Sequence, residues 1–438
     1  MEETLGEFKT SYTAIFSVNY FVQGVSQSLF TAIVPLYLII QIGGIVATDL
    51  ASLGTVVLLP FAVKFIYGIL SDKFALKKLG RRKPWIIGPL TLTGLIWIII
   101  PLVITASTAL ALFTIGGFFI YLGIAMGDTA IDGLILDNCP KNRLGRVQGI
   151  CWGFRSVGII AGGPLLVLIF YIFSINIEWI FIGYGIFVVL TSLLVLLVEE
   201  FKTMENMKVF DNLKMVFGKG KNWKVFSFAL FNAFVDGVIF LFISLFILSQ
   251  IGLLDFSGGV INTSAIEESV TDEVLYGTNA LINLILGGGV IIGAVIGGYL
   301  ADVKSRTISV YSSFLVTTVS LLLFLINAHF AILLIFAFIV GSSNGWRNSG
   351  FSAVIGQIST LYPEVDSTYY ATCNSFANIG TVLGLISTNI ILGVLEGSAV
   401  TFIFGVLFIF MALASNLGAI PFLFMDKKEY ELPEEDRD

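Results

Sequence analysis

The sequence predicts an all-α polytopic membrane protein: twelve transmembrane helices in two pseudo-symmetric six-helix bundles. Three observations carry this reading. Hydrophobic residues make up 56% of the 438 and charged residues 12%, whereas a soluble globular protein carries about 25% charged residues. Twelve apolar stretches each suffice to cross a ~30 Å hydrocarbon core, which takes roughly 20 helical residues. The loops between them alternate between a basic set and a set without any cation, and loops rich in Lys and Arg stay cytoplasmic.

In chain order the spans are expected over 13–42, 47–71, 85–105, 109–137, 145–172, 177–199, 222–252, 273–301, 306–326, 329–359, 368–395 and 399–425. Those beyond 25 residues imply tilt or projecting ends. The basic loops follow the second span (Lys73, Lys77, Lys78, Arg81, Arg82, Lys83), the fourth (Lys141, Arg143, Arg146), the sixth (Lys202 to Lys224) and the eighth (Lys304, Arg306). The opposite loops carry Asp49, Glu178, Asp255, Glu267, Glu268, Asp272, Glu273 and Glu396. Both termini are therefore expected in the cytoplasm of a multi-pass protein of the plasma membrane. The chain divides into a six-helix bundle over 1–199, a cytoplasmic linker over 200–221, a second bundle over 222–425 and an acidic tail over 426–438.

Other classes lose support. A membrane barrel would show ~10-residue alternating strands, and none occur. No cleavable signal peptide is expected, because the first apolar stretch is long and follows an acidic start. Three cysteines argue against a disulfide framework. The single His329 has no second histidine with which to share a metal. Asn262-Thr263-Ser264 matches a glycosylation sequon, and a chance match explains it best. The chain holds no phosphate-cradling Gly-Lys-Ser/Thr loop, metal-ligand spacing or nucleophile triad, so neither an enzyme, a cofactor, a metal nor a nucleic-acid partner is expected.

The halves repeat weakly. Gly68-Ile69-Leu70-Ser71-Asp72 after the second span matches Gly298-Tyr299-Leu300-Ala301-Asp302 after the eighth. Gly127 to Pro140 and Gly345 to Pro363 occupy corresponding places. Duplicated halves with a site at their junction are the plan of secondary transporters. At these loops the chain resembles the major facilitator superfamily, whose signature reads here as Gly68-x-Leu-x-Asp72 followed by Gly80-Arg81-Arg82-Lys83-Pro84. The spacing between Asp72 and Gly80 exceeds the commonest form. That longer version is similar to the glycoside–cation symporters and the muropeptide permeases. Gly127-Asp128 through Asp132 to Asp137, then Arg143-Leu144-Gly145-Arg146 and Trp152-Gly153-Phe154-Arg155-Ser156, looks like the muropeptide-permease group.

Charges within spans are costly and functional by default. Asp128 and Asp132 share one face of the fourth helix, and Asp128 lies roughly 13 Å from its cytoplasmic end. Arg155 lies roughly 15 Å along the fifth. A pair between Arg155 and either carboxylate is expected, serving as a static clamp or as a proton carrier with a tuning cation. Asp236 sits mid-span in the seventh helix, one turn from Asn232. Lys64 is read as snorkelling to the interface. Arg347, beside Asn344 and Asn348, suits anion or hydroxyl recognition or pairing with Asp236. Asn19, Gln23 and Gln27 form a stripe on the first helix, with Asn279 and Asn283 on the eighth and Asn374 and Asn378 on the eleventh. Such stripes face the bundle interior. The resemblance adds weight to Asn19, Gln23, Asp236, Asn279, Arg347 and Asn374 as solute-binding residues. It also implies a cytoplasmic gate of Asp72, Arg81, Arg82, Asp137, Arg143 and Arg146, with Asp302 and Arg306 as counterparts.

The expected activity is secondary active transport of a small polar solute, a sugar, glycoside or muropeptide-like molecule, by alternating access. Coupling is expected to protons, with Na⁺ as an alternative, through Asp128, Asp132 and Arg155. The competing readings are an uncoupled facilitator, an exporter of amphipathic compounds, or a non-transporting scaffold. The partners are the solute, the ion and the bilayer, and a monomer is expected.

Overall fold

The computed structural model describes residues 8–74, 79–139, 141–166, 169, 173, 176–200, 214–257, 259–263, 272–362 and 366–432, with the side chains of 72, 73, 136, 141–146, 148, 149, 152, 164, 366 and 367 outside the description. The fold is all-α. Eleven spans among the described residues are long and apolar enough to cross a membrane: Thr10–Ile42, Ala47–Ser71, Lys83–Val103, Ala109–Ile135, Ile177–Leu197, Gly220–Gln250, Asp272–Val303, Arg306–Leu323, Phe330–Thr360, Thr368–Val394 and Val400–Leu423. The remaining expected span, the fifth, is helical over Lys141–Ile160 and passes through a π-helical turn at Ala161–Leu165. Numbering below follows chain order, with this helix as span 5.

Besides span 5, spans 1, 2 and 7 depart from a regular α-helix. Span 1 contains a π-helical turn at Leu29–Ile33. Span 2 carries Pro60, and its helix stops at Ala62 and restarts at Lys64; proline removes a ladder bond and crowds the preceding turn. Span 7 stops at Asn232 and restarts at Asp236, although no proline lies there.

The chain forms two compact units, Met1–Val34 with Val63–Val209, and Pro35–Ala62 with Phe210–Asp438. By sequence, residues 35–62 stand in the first half; by packing they group with the second unit. Contacts within that unit hold them. Asn389 Nδ2 donates to Ser52 Oγ at 2.5 Å and to Thr48 O at 3.3 Å. Asn378 Nδ2 donates to Phe61 O at 3.1 Å, a carbonyl at the break of span 2. A small antiparallel sheet, not foreseen from the sequence, pairs β1 (Ile45–Val46) with β3 (Val260–Thr263), which pairs in turn with β2 (Leu254–Ser257). Gly44 enters β1 at φ +135°, and a Cβ there would fall 1.8 Å from Asn262 Oδ1, so only glycine fits.

In the first unit span 1 packs on span 5, and span 3 on spans 4 and 6. Its aromatic centre is Trp97, with ring centroids 5.2 Å from both Phe30 and Phe181. In the second unit the most extensive pairing joins spans 8 and 10. Small residues let membrane helices approach closely, and here two Gly-x-x-x-Gly pairs cross. A Cβ on Gly289 or Gly293 would strike the carbonyl of Phe338 or Ser342, and one on Gly341 or Gly345 the carbonyl of Leu286 or Val290.

Candidate functional site

In the first unit the ionisable side chains of spans 2, 4 and 5 meet polar groups of span 1. Asp128 and Asp132 stand one turn apart on span 4, as their spacing dictates. Asp128 is 1% exposed, and a buried carboxylate needs a counter-charge. Lys64 supplies it: its Nζ forms an ion pair with Asp128 Oδ2. Lys64 is the first residue of the helix that restarts after the break in span 2. The expected partner was Arg155, and Lys64 was expected at the interface. Instead the long stem that would permit snorkelling carries the ammonium to a carboxylate shielded from water, where Coulomb attraction exceeds that in bulk solvent.

Asp132 accepts from the Tyr20 hydroxyl through its Oδ1. Arg155 Nη2 donates to Gln27 Oε1 at 3.4 Å, and its charge acts on both carboxylates. Gln23 lies against Asp128, short of hydrogen-bond geometry; both of its polar atoms are buried with no hydrogen-bond partner among the described residues. Asn19 is tied to its own helix, Nδ2 to Ile15 O at 2.9 Å, leaving Oδ1 buried and without such a partner. Two acids, two cations and free amide groups can relay a proton and hydrogen-bond a neutral polar molecule.

The second unit holds a different set. Asn344 Nδ2 donates to Asp236 Oδ1 at 2.6 Å, and Asn348 Nδ2 to Asn344 Oδ1 at 3.2 Å. Arg347, 1% exposed, directs its guanidinium at main-chain carbonyls: Nε to Asn232 O at 2.6 Å, Nη2 to Phe231 O at 2.9 Å and to Ser415 O at 3.0 Å. Asn279 belongs to a separate cluster, accepting from Ser244 Oγ and, at 3.1 Å, from Asn283 Nδ2. Asn374 is half-buried on span 11. A groove of about 550 Å³ between spans 3 and 4 is apolar, lined by Trp85, Gly88, Leu92, Gly123 and Met126 among others, and includes none of these residues.

Residues 16–266, more than half of the chain, match the family model described as Major Facilitator Superfamily. The chain belongs to the major facilitator superfamily. It is a multi-pass membrane transporter rather than an enzyme. No curated protein sequence matches it. Among solved structures it is similar to a bacterial homolog of the human lysosomal transporter Spinster, inward-facing and unoccupied, with TM-score 0.68 at 13% identity over 97% of this chain and 98% of that one. It is also similar to a mutant of the nucleoside transporter NupG, with TM-score 0.71 at 12% identity over 95% and 100% of the two chains.

The expected gate residues of this superfamily member lie at the basic ends of the spans. Asp137 Oδ2 accepts from Arg81 Nη2 at 2.7 Å and from Arg82 Nε at 3.2 Å, while Arg82 Nη1 donates to Ser71 Oγ at 2.8 Å. All four residues belong to the first unit. Arg306 Nη1 donates to Tyr430 O at 2.6 Å, Asp302 is exposed, and the side chains of Asp72, Arg143 and Arg146 lie outside the described residues. Sequence reasoning missed two further acids here. Glu200 Oε1 accepts from the N–H groups of Arg81 and Arg82 at 2.7 and 2.6 Å. Glu431 accepts from the N–H groups of Arg306 and Thr307 at 3.0 and 2.8 Å and from the Ser305 and Thr307 hydroxyls, both at 2.6 Å. The same device appears in each unit: an acid after the last span satisfies orphan N–H groups at the start of the third. The signal was available, glutamates just past each sixth span: Glu199 and Glu200 after one, Glu429 and Glu431 after the other.

Burial alone would raise the Glu431 carboxyl, but the Ser305 and Thr307 hydroxyls and the two backbone donors outweigh it and hold it below its ordinary value. Its stabilising effect is therefore present above an unfolded value of about 4.3 and is lost as pH falls through the lower folded value. Thermal unfolding of Glu431→Gln and wild type in detergent should show a deficit for the variant at pH 7 that closes on acidification toward pH 3. A deficit that grows on acidification would reverse the sign.

A clearer repeat also went unread. Asn19-Tyr20-Phe21-Val22-Gln23-Gly24-Val25 and Asn232-Ala233-Phe234-Val235-Asp236-Gly237-Val238 share five of seven residues. Gln23 and Asp236 thus occupy equivalent positions of spans 1 and 7. Cys151-x-x-Phe154-x-x-x-Gly158-x-x-x-Gly162 likewise matches Cys373-x-x-Phe376-x-x-x-Gly380-x-x-x-Gly384 of span 11; Arg155 of the first half corresponds to Ala377 of the second.

Proposed function

We propose that this chain is a secondary active transporter of a small polar solute, working by alternating access and coupled to protons through Asp128 and Asp132. The observation that carries this is the buried Lys64–Asp128 pair one helical turn from Asp132, which Tyr20 binds. A proton taken up by either carboxylate changes the net charge of a site removed from water, and Lys64 and Arg155 set how readily it does so. Lys64 thereby takes the partner role first expected of Arg155, which tunes the site from span 5. Gln23 and Asn19 are the candidate solute contacts of the first unit, and Asp236, Asn279 and Asn374 are, separately, those of the second. Their amide-rich chemistry suits hydroxyl groups of a sugar, glycoside or muropeptide-like molecule. Arg347 remains a candidate contact through Nη1 alone, because its Nε and Nη2 bind helix carbonyls while Nη1 is buried with no hydrogen-bond partner among the described residues. The basic loops face the cytoplasm of a plasma membrane, with both termini inside, by the positive-inside rule.

The test is uptake into proteoliposomes under an imposed pH gradient, with solutes first chosen by thermal stabilisation across sugars, peptides, nucleosides and organic acids. Wild type should accumulate solute only when the gradient is imposed. Asp132→Asn should bind solute yet fail to accumulate it. Gradient-driven uptake retained by both Asp128→Asn and Asp132→Asn would remove the carboxylates from the coupling step, and Na⁺-dependent uptake would reassign the ion.

A further inference from the structure

Span 7 breaks between Asn232 and Asp236 without a proline, and its own sequence does not account for the break. The equivalent segment of span 1, Asn19 to Val25, lies within the uninterrupted helix Thr10–Ser28, although five of its seven residues are the same. Asn-x-Phe-Val-x-Gly-Val is therefore compatible with regular helix, and something outside the segment must differ.

The difference lies on span 10. In a regular helix the carbonyls of Phe231 and Asn232 would accept from amides four residues on. In span 7 both accept from Arg347, Asn232 O from Nε at 2.6 Å and Phe231 O from Nη2 at 2.9 Å, while Nη2 also reaches Ser415 O on span 12 at 3.0 Å. The guanidinium carbon sits 4.7 Å from the centre of the Phe314 ring. Across the break the ladder tightens to three-residue steps, Phe234 N–H to Phe231 O at 3.4 Å and Asp236 N–H to Ala233 O at 3.1 Å. Span 11 completes the seat: Thr381 Oγ1 donates to Ala233 O at 3.1 Å, and Gly380 and Gly384 leave no room for a Cβ against the carbonyls of Leu230 and Phe234. The corresponding glycines of span 5, Gly158 and Gly162, press on Phe21 and Val25. By the repeat, Phe21 is the counterpart of Phe234, so span 11 meets span 7 one turn earlier than span 5 meets span 1.

We infer that Arg347 makes the break in span 7: by capturing the carbonyls of Phe231 and Asn232 it ends one helix and lets the next begin at Asp236, where Asn344 binds the carboxylate. Arg347 is a positioning residue for Asp236. An arginine removed from water requires several acceptors, and helix carbonyls in the hydrocarbon region accept from it more strongly than from a neutral amide. This role is independent of which solute or ion the protein carries.

Hydrogen–deuterium exchange of the full-length protein in nanodiscs tests it. In wild type the amides of 233–237 should exchange at least about tenfold faster than those of 20–24, because local opening is easier where the helical ladder is interrupted. Arg347→Met, similar in length and without donors, should slow exchange at 233–237 by about tenfold as the helix closes, leaving the span 10 peptides unchanged. Arg347→Lys, which keeps the charge with fewer directed donors, should fall between. Equal exchange at 20–24 and 233–237 in wild type overturns the inference even if no variant folds. A folded Arg347→Met protein whose 233–237 exchange is unchanged or faster also overturns it.

Discussion

Asp128→Asn is expected to lower the unfolding free energy of the protein by about 3–5 kcal/mol, because it breaks a buried ion pair by removing one partner. The pair is well removed from water, with side chains 16% and 2% exposed, so solvent does little to soften the loss. Lys64→Gln should cost a similar amount by stranding Asp128. The double variant Lys64→Gln/Asp128→Asn removes both charges and leaves two amides able to bond each other, and its stability should return to within about 1–2 kcal/mol of wild type. Function should not return with it. The double variant should bind solute while its accumulation under a pH gradient stays at least about tenfold below wild type, since no titratable group remains at that position. Denaturant unfolding and proteoliposome uptake on the same preparations separate the two roles. Recovery of both in the double variant would make the pair a static clamp between spans 2 and 4.

The second large effect concerns the crossing of spans 8 and 10. A methyl at Gly293 would lie 1.8 Å from the Ser342 carbonyl oxygen, and one at Gly345 1.9 Å from that of Val290. Both obstacles are helix backbone, which cannot rotate aside, so the two spans must separate. Gly293→Ala and Gly345→Ala should each cost about 1–3 kcal/mol. Gly287, Gly288 and Gly298 lie on the same helix with nothing within 4 Å of a built Cβ. Alanine at those positions should be neutral or stabilising by up to about 1 kcal/mol, since glycine weakens a helix interior. Thermal unfolding of the five single variants in one detergent gives the comparison. Equal losses at Gly288 and Gly293 would mean that close packing is not what the glycines provide.

These two cases show where sequence reasoning succeeds and where it stops. The glycines of span 8 are legible as a group, but only the packed structure divides them into contacts and open positions. Asp128 is legible as a charge that requires a partner, yet depth along two helices suggested Arg155 as well as any other cation. Lys64 makes the pair because it lies where span 2 restarts, a break that Pro60 announces only in part. The β1–β3 pairing escaped notice because two-residue and four-residue strands are too short to show alternation. The repeat between spans 1 and 7 was present in plain letters and could have been found by aligning the halves directly.

Hydropathy and loop charge are properties of consecutive residues. The chain by itself therefore determined that it is helical, that it crosses a membrane many times and that its two halves are related. Which cation meets Asp128, and whether Asn-x-Phe-Val-x-Gly-Val runs straight or breaks, depends on groups brought in from distant positions. In a medium without water each buried charge must take whatever partner the packing places within reach, and that choice exists only in the folded molecule.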